Sequence, residues 1–181
     1  MKKIAVLLFD GVEELEALAP VDILRRAGAQ VVCVAVGESL TVRGRSAVDI
    51  TCDALFSSVK DADFDAAVLA GGPGTDNMLS NPQVVEFFAR HNKNGALVAA
   101  ICAAPVVLRA AGALDGRKCT AHTSRVSQLQ NCDSSSAVVR DANVITSRGA
   151  GTAVEFALAI TEYIFGAQKA KDVATSICFM R

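Results

Sequence analysis

The chain is short of metal ligands and has no excess of either charge. It has two histidines, and its six cysteines (Cys33, Cys52, Cys102, Cys119, Cys132 and Cys178) include no C-x-x-C pair, so a zinc site, which needs closely spaced Cys and His ligands, is not expected. Eighteen Lys and Arg nearly balance nineteen Asp and Glu, for a formal net charge of −1, which leaves no basic field for nucleic acid. No window approaches the length of a membrane span. The apolar run behind Met1-Lys2-Lys3 stops at Asp10-Gly11 without a cleavage-like segment, which sets it apart from a signal peptide. Repeats, linkers and low-complexity tracts are missing, as are the phosphate-binding patterns G-x-x-x-x-G-K-[ST] and G-x-G-x-x-G. Scattered free thiols suit a reducing cytoplasm. What remains is one domain over residues 1–181, with 51% hydrophobic residues, enough for a substantial core and too many for a disordered chain.

The apolar runs at 4–9, 31–36, 66–70 and 96–101 are continuous instead of alternating, which is the pattern of strands buried on both faces of a parallel sheet. Residues 13–28 carry apolar side chains at helical spacing and stop at Gly28. Pro20 should kink or restart that helix. Asn81-Pro82 reads as N-cap and first position of a helix ending near Asn94-Gly95, and 103–111 as a helix closing at Gly112. Residues 137–140 and 143–146 read as a hairpin turned by Asp141-Ala142. Thr152 with Glu155 reads as a capping box that opens a long helix through Tyr163, with a further helix from Gln168. Strands alternating with helices predict a right-handed α/β sandwich, helices on both faces of a mostly parallel sheet. In such a sheet the ligand site lies beyond the carboxyl ends of the strands. DGVEELEA, AGGPGTD, CAAP and AHTS occupy those ends.

Cys102 stands at a strand-to-helix junction among alanines, the setting of a nucleophile elbow, where small neighbours let the backbone turn sharply. Free amides and the helix dipole there should lower its pKa. On a helical reading Glu16 shares the inward face with Ala19, Ile23 and Leu24, so its carboxyl should stay protonated and be able to hydrogen-bond or exchange a proton with a nearby thiol. Glu13 and Glu14 serve the helix N-terminus. Gly71-Gly72-Pro73-Gly74 follows a strand; the amides of Gly72 and Ala103 are the candidate oxyanion donors. His122, ending a short strand at 118–120, is a candidate base or proton carrier. His91, in the last turn of a helix, reads as a structural imidazolium. Arg148 either binds an anion at the mouth of the site or makes a structural salt bridge.

In combination IAVLLFDGVEELEA, VDILRRAG, LAGGPGT, AAICAAP and TSRGAGTAVEFALAI, spread over nearly the whole chain, resemble the ThiJ/PfpI superfamily, in the branch of the Parkinson's-associated deglycase and its bacterial, glyoxalase III-like relatives. The resemblance implies a flavodoxin-like three-layer sandwich, usually a homodimer. It implies a nucleophilic, oxidisable Cys102, a carboxylic-acid partner in Glu16 and oxyanion-stabilising amides at Gly72 and Ala103; His122 matches the branch's usual histidine position. The peptidase-like branch has histidine directly after the cysteine, whereas this chain has Ala103, and the segment that meets the partner subunit reads Gly44-Arg45-Ser46 in place of a Ser-Arg pair. The expected activity is a cofactor-free, metal-free glyoxalase or deglycase on small α-oxoaldehydes such as methylglyoxal. A redox-responsive stress protein or chaperone, and a cysteine peptidase, are the alternatives.

Overall fold

The computed structural model describes residues 1–179. In chain order the elements are β1 (Lys3–Leu8), α1 (Glu14–Arg26), β2 (Gln30–Ala35), β3 (Thr41–Arg43), β4 (Asp49–Thr51), β5 (Ala54–Leu55), α2 (Phe56–Val59), β6 (Ala66–Leu69), α3 (Thr75–Leu79), α4 (Pro82–Lys93), β7 (Leu97–Ile101), α5 (Pro105–Ala110), β8 (Cys119–Thr120), β9 (Cys132–Asp133), β10 (Val138–Asp141), β11 (Val144–Ser147), α6 (Ala153–Phe165) and α7 (Ala167–Ser176). Seven strands form one sheet in the order β10-β11-β7-β6-β1-β2-β5. Every neighbouring pair is parallel except the β10–β11 hairpin, which turns through Ala142 at φ 51°. The central strands are apolar on both faces because both faces are covered: every residue of β6, β7 and β11 is buried. α1 packs on α6 and α6 on α7, while α3, α4 and α5 pack with one another, giving the three-layer α/β sandwich. Among the described residues no helix is long and apolar enough to cross a membrane.

Several local expectations change. α1 runs unbroken through Pro20. The proline ring lies on the buried face with Glu16, Ala17, Val21, Ile23 and Leu24, and packing of that face outweighs one missing backbone hydrogen bond. The capping box at Thr152 does not form. Its hydroxyl turns back to the Gly149 carbonyl (2.8 Å) and the Ser147 hydroxyl (2.7 Å). His91 is structural but neutral: Nδ1 donates to the Phe87 carbonyl (2.7 Å) and Nε2 accepts from the Phe64 amide (3.2 Å). Burial beside the rings of Phe64 and Phe87 lowers its pKa and prevails over the helix dipole. The short strand expected at 118–120 is β8, whereas its parallel partner β9 and the short hairpin β3–β4 carry no continuous apolar run that could announce them.

Candidate active site

Two loops at the carboxyl end of the sheet interlock. The loop after β1 sends the Glu13 amide to the Gly71 carbonyl (3.0 Å), and the loop after β6 sends the Gly74 amide to the Gly11 carbonyl (3.4 Å). Glycine is needed because the backbones touch: a Cβ on Gly72, at φ +123°, would run into the Gly11 carbonyl, and one on Gly74 into that of Asp10. At Gly71 a Cβ would meet Glu16 Oε2 at 2.7 Å and both Cys102 Cβ and the Ile101 carbonyl at 2.9 Å. The glycine run is therefore first a packing device that brings an acid and a thiol onto one spot.

Glu13 caps α1 by accepting the Glu16 amide (2.8 Å), which fixes where Glu16 leaves the first turn. Glu16 is 1% exposed. Its Oε2 accepts from the Gly71 amide (2.9 Å), and Oε1 has no nitrogen or oxygen partner. Burial pushes its pKa up to about 7, against the lowering effect of a hydrogen bond with Cys102; Glu13 adds to the rise, and the Gly71 amide and Arg45 charge oppose it. Glu14 does more than favour the helix end: its Oε1 accepts the Ser46 amide (2.7 Å) and holds the β3–β4 turn onto α1.

Cys102 leaves β7 in the left-handed region, φ 65°, and the chain enters α5 three residues later at Pro105. A non-glycine residue there costs on the order of 1 kcal/mol. The turn is held from two sides, the Cys102 amide donating to the Ser147 carbonyl (2.9 Å) and the His122 amide donating to the Cys102 carbonyl (2.8 Å). The expected lowering of the thiol pKa is reversed. Burial, the Glu16 carboxylate charge and the hydrogen bond that the thiol donates to that carboxylate push it up to about 12, with the Ala103 amide pulling it down. The dipole of a six-residue helix does not offset a desolvated sulfur facing an anion. Acid and thiol thus titrate as a pair, which holds one proton and one negative charge between those two values.

The amides of Gly72 and Ala103 are not taken by any backbone carbonyl among the described residues. His122 is tied to Cys102 through its backbone alone. Its Nδ1 pairs with the Ser124 hydroxyl (2.9 Å), and its ring opens onto a cleft of about 410 Å³ with Thr123, Arg148, Gly149, Ala150, Gly151 and Thr152. Arg148 makes no salt bridge among the described residues; it lines this cleft and donates to the carbonyls of Ser134 (3.2 Å) and Ser135 (3.1 Å). Three neighbours are not apparent from the motifs: Arg45, whose charge reaches Glu16, Ser147 under Cys102, and the Arg125–Asp76 ion pair (2.7 Å), which ties the loop after β8 to α3. Only Gly44-Arg45-Ser46 gives a sequence signal, a turn beside the motif.

A doubly covered parallel sheet with a thiol in a left-handed turn at its carboxyl end, set against a buried carboxyl, defines a class of cysteine-bearing flavodoxin-like proteins. The chain belongs to the DJ-1/PfpI family, whose model matches residues 2–163. It is 39% identical to the protein dj-1beta of Drosophila melanogaster over 97% of this chain and 96% of that one. It is 33% identical to the glutathione-independent glyoxalase DJR-1.2 of Caenorhabditis elegans over 93% of this chain and 91% of that one. The solved structure of oxidized Toxoplasma gondii DJ-1 matches with a TM-score of 0.96 at 30% identity, covering 100% of both chains.

Proposed function

We propose that the protein is a cofactor-independent, cysteine-dependent glyoxalase and deglycase that converts α-oxoaldehydes such as methylglyoxal, or their adducts with amines and thiols, into 2-hydroxy acids. The observation that carries this reading is the buried Glu16 carboxyl set against Cys102 over Gly71, close enough for each group to shift the other's pKa. In the tautomer with the proton on Glu16, the Cys102 thiolate of this nucleophile elbow adds to the aldehyde carbon, and Glu16 gives its proton to the new oxygen, forming a hemithioacetal. The Glu16 carboxylate then removes the proton from that carbon and returns one to the neighbouring carbon, producing a thioester. Water cleaves the thioester, so that methylglyoxal plus water yields lactate and the free thiol. The amides of Gly72 and Ala103 are the donors for the developing oxyanion. His122, at the mouth, carries protons between the site and solvent. The relative named as a glutathione-independent glyoxalase supports this reading.

A homodimer accompanies this reading. Leu15 and Leu18 on α1 are 62% and 41% exposed, and Val48 in the turn that Glu14 holds is 50% exposed, which gives a second copy an apolar surface to cover. The test of function is lactate formation from methylglyoxal by the purified protein without glutathione, with Cys102→Ser and Glu16→Gln beside it. Turnover lost in the first variant and strongly reduced in the second supports the assignment. No lactate from wild-type protein whose Cys102 is reduced would overturn it.

The second reading is redox sensing through Cys102, favoured by the half-buried thiol beside an acid able to donate to a sulfinate, and by the likeness to an oxidized DJ-1. Peroxide-driven oxidation at Cys102 that changes partner binding in a protein without basal turnover would select it. The peptidase reading has less support: Ala103 follows the cysteine and the His122 ring pairs with Ser124.

A further inference from the structure

Cys119 and Cys132 are direct register partners across the two-stranded parallel sheet β8–β9. Paired strands lie about 4.8 Å apart, inside the Cα separation of roughly 4.4–6.8 Å that a disulfide spans. Register partners project from the same face of a sheet, and these two thiols are near enough to hydrogen-bond each other. Cys119 is 1% exposed, whereas Cys132 is half-buried. A cleft of about 630 Å³, lined by Lys118, Cys119, Asn131, Asp133 and Ser136 among others, opens beside Cys119, whereas Cys132 meets a small oxidant through its own partial exposure.

We propose that Cys119 and Cys132 form a reversible disulfide, a second redox site separate from Cys102, which cinches the loop that carries His122. The oxidant is a hydroperoxide. The sulfur of Cys132 attacks one peroxide oxygen, the O–O bond breaks, and the thiol proton leaves with the departing oxygen as water or an alcohol, leaving a sulfenic acid. The sulfur of Cys119 then attacks that of Cys132; the S–O bond breaks and hydroxide departs as water with the Cys119 proton. Two thiols lose two electrons and two protons, and a dithiol reductant reverses the reaction. Cys132 attacks first because it is the more accessible. Their shared hydrogen bond also favours its ionisation: burial raises both thiols, but the bond raises Cys119 and lowers Cys132.

The closed ring, residues 119–132, contains His122, whose amide holds the Cys102 carbonyl, and Arg125, whose guanidinium reaches Asp76 in α3. Oxidation therefore removes freedom from a segment that borders the catalytic turn.

The test treats wild-type protein and Cys102→Ser with hydrogen peroxide, then alkylates and digests both with trypsin without reduction. The expected product is a peptide pair, 119–125 linked to 126–140, lighter by two hydrogens than its parts, released by dithiothreitol, present in both proteins and accompanied by a Tm rise on the order of 5 °C. Cys119→Ser and Cys132→Ser should each lose the Tm rise. The proposal is overturned if both thiols remain open to alkylation at peroxide levels that oxidise Cys102. It is equally overturned if Cys132 gains oxygen without forming the link, or if the link fails in Cys102→Ser. The peptide map is read on proteins that keep both cysteines, so a misfolded cysteine variant would not blur it.

Discussion

Cys102 and the Cys119–Cys132 ladder solve the problem of a buried thiol in opposite ways. At Cys102 the neighbour is a carboxyl that is itself desolvated, so the pair keeps one proton that either member can hold. At β8–β9 the neighbour is a second thiol, so the pair has no charge to share but can surrender two electrons. Under the two proposals, each partner's chemistry sets the use: proton transfer in one place, reversible oxidation in the other. The backbone differs too. Cys102 is forced into a left-handed turn, while Cys119 and Cys132 sit in ordinary strand.

The largest effect separates the two regions outright. Cys102→Ser should lower kcat/KM for methylglyoxal at least about 10³-fold with the fold unchanged by circular dichroism; residual turnover near wild type would mean the nucleophile lies elsewhere. Gly71→Ala sharpens the role of close packing, since its methyl would fall between Glu16 Oε2 and Cys102 Cβ. We expect about 10²-fold lower activity and a loss of roughly 1–3 kcal/mol in urea unfolding.

Glu16→Gln splits activity from stability. Turnover should fall about 10²-fold or more, yet the carboxyl is a burden to the fold at high pH. Its folded pKa of about 7 lies above the ordinary 4.5, so the folded state binds more protons between those values. Stability is full below pH 4.5 and is lost as the pH rises through 7, by on the order of 3 kcal/mol. Unfolding curves of both proteins at pH 5 and pH 8 should show that pH-dependent loss in the wild type and not in the glutamine variant; parallel behaviour would mean Glu16 is already ionised in the fold. The smallest effect is at the ladder. Cys119→Ser and Cys132→Ser under reducing conditions should leave kcat/KM within about twofold, and a larger loss would show that the two regions are not separable.

The central sheet was legible because its strands are continuous apolar runs, and α1, α4 and the β10–β11 hairpin because Gly28 ends the first, Asn81-Pro82 opens the second and Asp141-Ala142 turns the third. Glu16 was legible for a related reason: helical period places one carboxylate among apolar neighbours. What the period could not show is the electrostatic result at Cys102, which depends on how far the sulfur lies from solvent and on the acid opposite it. Pro20 misleads because propensity is local and the burial of α1 is not. β8 and β9 are two residues each, and nothing in their sequence announces that Cys119 pairs with Cys132. His91 at a helix end and His122 past a strand end were told apart by local setting, but only tertiary packing shows that the first is neutral and ring-stacked.

The left-handed conformation of Cys102 has one more implication. Glycine adopts that conformation without the Cβ penalty, while its cost is the greater freedom of the unfolded chain, about 0.5–1 kcal/mol. Replacing the thiol by glycine at position 102 would therefore leave the folded protein close to its present stability while removing the nucleophile of the proposed reaction. Foldability alone therefore gives position 102 no reason to hold a cysteine, and what the thiol contributes there is chemistry and not stability.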